Sequence, residues 1–139
     1  MYIKYSLGFL IGSLIQAGIV MLAENIGISQ MGAKLTAFQL LTHILAGQVA
    51  GYILLFIIRK VEFVQQLNTF VTGVIWGVII WAIVIPLNAS QGKVTLPWEA
   101  GIGTVISSLL AFIIFGIIVT FTIKRYGFEN RVVRDPQTT

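Results

Sequence analysis

His43 is the single histidine of the chain, and it stands in a long apolar run with Gln39, Thr42 and Gln48 close by. Histidine alone among side chains ordinarily changes charge near neutral pH. Inside an apolar segment such a ring can move a proton, take a ligand, or tie two helices together through a hydrogen bond. Read as a helix, Gln39, His43, Gly47 and Gly51 recur every four residues and share one stripe. Gly8, Gly12 and Gln16 form a similar stripe in the first apolar run.

Gln16 lies seven residues inside Ala23, and His43 eight residues inside Leu35. In helices the two therefore sit at similar depth, about 10–12 Å from one edge of the apolar zone. Thr104 and Ser108 fall in the same half of the last run. A cluster of Gln16, Gln39, His43 and Ser108 is the expectation. A charged ring there is costly without a partner, so His43 is expected as a neutral group bonded to Gln16 or Ser108. The alternative is proton or ligand chemistry at the same ring.

Other chemistry is sparse. One histidine without an intramembrane acid is a poor metal site, and no metal or cofactor is assigned. There is no cysteine, which excludes disulfides, thiolate ligands and cysteine nucleophiles. Glu24 and Glu99 flank the ends of two runs, either as solvated helix ends or as a shallow cation-attracting vestibule. No nucleotide loop, nucleophile–base pair or paired carboxylates stand out, which argues against an enzyme.

The elements that must position these groups are four charge-free apolar runs, at 5–23, 35–58, 67–87 and 100–123. A bilayer core about 30 Å thick needs roughly 20 apolar residues as a helix. Hydrophobic residues make up 57% of the chain and charged residues 10%. A soluble domain carries about 25% charge, so this composition belongs in lipid. The fold class is all-α, a four-helix transmembrane bundle. One membrane domain covers 1–128, and a polar tail, expected to fray, covers 129–139.

Charge placement sets the expected orientation. Lys4, Arg59, Lys60, Lys124, Arg125, Arg131 and Arg134 fall on one side, and Lys34 and Lys93 on the other. This asymmetry places both termini in the cytoplasm. The net charge of +4 is thus read as topology and attraction to anionic lipid, not as nucleic-acid binding. The short N-terminus carries no cleavage site, so the first span is expected to be retained.

The connections are short, which makes successive helices antiparallel neighbours. Gly27 and Gly32, and Gly92 with Pro97, mark the outer turns. Pro86 can kink or end the third span. Gly8-x-x-x-Gly12, Gly47-x-x-x-Gly51 and Gly73-x-x-x-Gly77 are small-residue motifs for close helix approach. They can serve packing within the bundle or contact with a second copy. The chain also matches itself at an offset of 65 residues, with Gly8, Gly12, Gly27 and Gly51 meeting Gly73, Gly77, Gly92 and Gly116. Either a two-helix hairpin is duplicated in parallel, or apolar segments coincide by chance.

Two segments carry a resemblance. Thr42-His43-Ile44 through Ala50-Gly51-Tyr52 opens on a Thr-His pair and closes on a Gly-Tyr pair, and Leu96-Pro97-Trp98-Glu99 opens a last span that ends in Lys124-Arg125. From the second span to the tail the chain resembles the YagU/YqhR-like group of small bacterial inner-membrane proteins. The resemblance implies a multi-pass plasma-membrane protein with a role in envelope or acid stress, and it supplies no substrate.

Two functions follow as expectations. The first is a non-enzymatic structural or accessory protein that works through helix–helix and lipid contacts, as a homo-oligomer or within a larger membrane complex. The second is a small transporter or channel for protons or a small solute, using the polar stripe around Gln16 and His43.

Overall fold

The computed structural model of the chain describes residues 2–30, 36–92 and 96–134, with the helix alone described over 127–134. All regular structure among these residues is helical: α1 (Tyr2–Asn25), α2 (Ala37–Lys60), α3 (Glu62–Gln66), α4 (Thr69–Ser90), α5 (Pro97–Ala100) and α6 (Ile102–Arg134). The long helices α1, α2, α4 and α6 are each long and apolar enough to cross a membrane. The all-α four-helix bundle is therefore the fold, and the chain is a small polytopic membrane protein. Gly32, Lys34 and Lys93 lie outside the described residues.

Local signals explain the helix ends. Thr36 caps α2 by accepting the Gln39 N–H at 3.2 Å, and Asn68 caps α4 by accepting the Phe70 N–H at 2.7 Å. α1 closes through Gly27, whose φ of 84° suits a residue without a β-carbon, while the Ile28 and Ser29 amides turn back onto the Ala23 carbonyl. Pro86 does not end α4, which runs on to Ser90. A break at Gly101, with φ of 128°, divides α5 from α6, so the last span begins with a separate turn on Pro97.

α6 differs from the expected tail. Its 33 residues continue to Arg134, so 129–134 extend the helix instead of fraying. At 1.5 Å per residue it measures about 50 Å, against a hydrocarbon core of about 30 Å. Nothing in Lys124–Arg134 stops a helix except the mild weakness of Gly127, and Pro136 comes only later.

The glycine stripes set the packing. A β-carbon on Gly8 or Gly12 would run into Thr122, or into Phe115 and Ile118, all of α6. One on Gly47 or Gly51 would strike Ser13 or Phe9 of α1. One on Gly73 or Gly77 would meet the backbone of α6, at Ile117 and Ile113. Each pairing runs in opposite directions along its two helices, so the packed helices are antiparallel. All six glycines serve contacts within the chain. The spatial order is α2–α1–α6–α4, and α6 is the central helix.

This order corrects the rule that successive helices are neighbours. Among the described residues, α2 and α4 follow one another in sequence but have no backbone packing comparable to that of α1 on α6. α3 carries the chain across, and the small faces of α1 and α4 both turn to α6. An exact two-fold repeat would pack α4 on α2 as α1 packs on α6. The packing is thus asymmetric, although the glycines coincide in sequence.

Large side chains fill the space that the glycines leave. Tyr5, Phe9, Leu54, Phe115, Val119 and Ile123 form the main buried cluster, with Trp76 at its edge. Phe115 of α6 is 1% exposed, and its ring would touch a β-carbon on either Gly12 or Gly47. It closes the seam where α1, α2 and α6 meet.

Candidate functional site

The polar residues of the spans fall on two separate seams. On the α1–α2 seam, His43 Nε2 lies 3.0 Å from the carbonyl oxygen of Ser13. A carbonyl only accepts, so Nε2 carries the proton and donates. Further toward the terminus-bearing end, Gln48 Nε2 donates to the Ser6 carbonyl at 2.9 Å. Beyond that, the Ser6 and Tyr52 hydroxyls share a hydrogen bond. The antiparallel register makes this possible: His43, Gln48 and Tyr52 descend α2 as Ser13 and Ser6 descend the facing side of α1.

The second seam joins α4 and α6. The Trp81 indole N–H donates to Ser108 Oγ at 3.0 Å, and that hydroxyl donates to the Thr104 carbonyl of its own helix at 2.7 Å. Trp98 of α5 packs edge-on against Trp81, with centroids 6.2 Å apart. Thr104 Oγ1 in turn accepts the backbone N–H of Gln30, which ties the loop after α1 to the start of α6.

The expected cluster of Gln16, Gln39, His43 and Ser108 is therefore divided. His43 bonds to Ser13 and not to Gln16 or Ser108. Ser108 is taken by Trp81. Gln16 is buried at 4% exposure. Gly8 faces Thr122, and Gly12 faces Phe115 and Ile118, so the same register sets Gln16 against the turn around Ala111, about one turn from Ser108. Gln39 stands a turn outward from His43, its side-chain oxygen buried with no hydrogen-bond partner among the described residues. The division has a simple cause. α1 separates α2 from most of α6, so side chains on α2 meet α1 first.

Sequence reasoning passed over Ser6, Ser13, Tyr52 and Trp81, which make or receive these bonds. A signal existed for three of them. Ser6 and Ser13 are seven residues apart, on one helix face, with Phe9 between them. Laid antiparallel, that stripe matches His43, Gln48 and Tyr52.

Several buried polar atoms remain without a partner: Ser13 Oγ, Thr72 Oγ1 and Trp76 Nε1. Ser13 Oγ occupies the space that a β-carbon on Gly47 would need. Thr72 and Trp76 lie one turn apart on the buried side of α4. At the other end of the bundle, Glu24 accepts a hydrogen bond from the buried Ser29 hydroxyl at 3.1 Å, while Glu99 is exposed on α5. The two glutamates do not form a metal-binding group with any other ligand among the described residues.

The arrangement can link helices at defined depths. It offers no aligned acid–base pair and no convergent ligand set among the described residues. Compared with known proteins, the chain matches no family model, and neither a curated protein nor a solved structure is similar to it.

Proposed function

We propose that this protein is a structural or accessory component of a bacterial plasma membrane, working through helix–helix and lipid contacts without catalysis. The observation that carries the reading is how its intramembrane polar groups are used. His43, Gln48 and Tyr52 are bonded to α1, and Trp81 and Ser108 to each other. Such links fix the register of neighbouring helices, and polar pairs in lipid contribute about 0.6 kcal/mol on average. The outward faces are apolar, with Phe38, Leu41, Leu45, Val49 and Phe56 exposed along α2 and Phe70 and Ile83 along α4. The positive-inside asymmetry supports cytoplasmic termini. The resemblance to YagU/YqhR-like proteins supports the inner membrane and a role in envelope stress.

Cross-linking in native membranes followed by purification in mild detergent tests this reading. A membrane protein, or a second copy of the chain, should be recovered in fixed proportion. A chain that purifies alone and carries solute in vesicles would overturn it.

A further inference from the structure

Three helix ends converge on two tyrosine rings at the terminus-bearing end of the bundle. Tyr5 of α1 is fully buried, and Tyr126 of α6 is half-buried. Their centroids are 6.4 Å apart, and the rings meet edge-on at 86°. Arg59, in the last turn of α2, places its guanidinium carbon 6.0 Å from the centroid of Tyr5. Lys4 Nζ stands 5.2 Å from the centroid of Tyr126, and the Arg125 guanidinium carbon 6.0 Å from that ring.

All three cationic side chains are exposed. Attraction to a ring face positions a cation without neutralising it. The only acidic residue at this end before residue 127 is Glu62. Two further cations point elsewhere. The Lys124 ammonium donates to the Leu67 carbonyl, and Lys60 stands over Phe56 at 5.9 Å. Charge is thus gathered on both rings of one pair, from residues far apart in sequence, at the depth where tyrosine favours the membrane interface.

We propose that this cluster binds the headgroup of a phospholipid carrying two phosphates. One phosphate sits beside Lys4 and Arg125, and the other beside Arg59. Basic pockets formed by helix ends recognise such headgroups, and guanidinium groups bind phosphate oxygens through paired N–H donors. The pairing of two charge groups 6.4 Å apart favours two bridged phosphates over one. A headgroup with a single phosphate would engage only half of the cluster. The inference rests on the membrane reading of the four spans.

The test is native mass spectrometry of the full chain, extracted from membranes and offered cardiolipin, phosphatidylglycerol or phosphatidylcholine. Membrane fractionation precedes it, so a failure of the membrane reading would show there first. Cardiolipin should be retained more tightly than phosphatidylglycerol, and phosphatidylcholine hardly at all. Arg59→Gln and Arg125→Gln should each weaken cardiolipin retention about fivefold. Lys60→Gln should leave it unchanged. Each variant's circular dichroism melt establishes that it is folded, and Arg59→Lys and Arg125→Lys, which keep the charge, replace any variant that is not. Equal retention of cardiolipin and phosphatidylglycerol would overturn the proposal. So would equal loss in Lys60→Gln, which would indicate general attraction to anionic lipid.

Discussion

A β-carbon on Gly77 would stand 2.5 Å from the carbonyl oxygen of Phe112, so α4 and α6 touch backbone to backbone. Gly73 makes the same approach one turn away, where a β-carbon would stand 2.5 Å from the Ile117 α-carbon. Backbone atoms cannot rotate aside as a side chain can. In lipid, where apolar surface alone does not drive helices together, this closeness is a source of stability.

The glycines should accordingly differ in their tolerance of a methyl group. Gly77→Ala should destabilise the bundle by about 1–3 kcal/mol, the usual range for overpacking. Gly18 has open space around it. Gly18→Ala should be neutral or stabilising by up to roughly 1 kcal/mol, because alanine favours helix over glycine. Denaturant melts of the two variants in one detergent check the contrast. Equal effects would refute the backbone contact between α4 and α6.

The Ser6–Tyr52 hydroxyl bond should show as a coupling between the two residues. A double-mutant cycle of Ser6→Ala and Tyr52→Phe should give about 0.6 kcal/mol, the average for such bonds in membranes. Additive losses would mean that the bond contributes nothing to stability. Trp81→Phe and Ser108→Ala should couple in the same way on the other seam, because Trp81 donates to Ser108.

The spans were legible because lipid imposes a strong and simple pattern: four runs without charge. The glycine stripes were legible as contact faces for the same reason. Their partners were not. A helix in lipid is apolar on every side, so Phe115 and Val119 look like lipid-facing residues in the sequence, although both are buried in α6. Without a polar face to exclude, nothing in the sequence marks α6 as central. The polar groups were legible as a set, but their pairing depended on that hidden order. Depth alone favoured His43 with Gln16 or Ser108, whereas the actual neighbour is the backbone of Ser13. The end of α6 was missed because polarity was read as fraying, although Lys124–Arg134 contains no helix breaker.

Cysteine labelling should report the orientation. Gln30 and Ser90 are exposed at one end of the bundle, and Gln66 at the other. With cytoplasmic termini, Gln30→Cys and Ser90→Cys should react with an impermeant thiol reagent in intact cells, and Gln66→Cys only after lysis. Ser29 is unsuited to this role because its side chain is buried against Glu24. The reverse labelling pattern would invert the assigned topology.

His43→Ala removes a donor to the Ser13 carbonyl and should cost about 1 kcal/mol, the net worth of an ordinary hydrogen bond. His43→Gln restores an N–H and should recover part of the loss. The most direct measurement is proton flux through vesicles reconstituted with the folded wild-type chain and with His43→Gln. If the intramembrane polar groups serve as helix links, both should leave an imposed pH gradient to decay at the rate of empty vesicles. Rapid decay with the wild-type chain, abolished by His43→Gln because an amide cannot titrate in this range, would contradict the structural role and establish a proton pathway through His43.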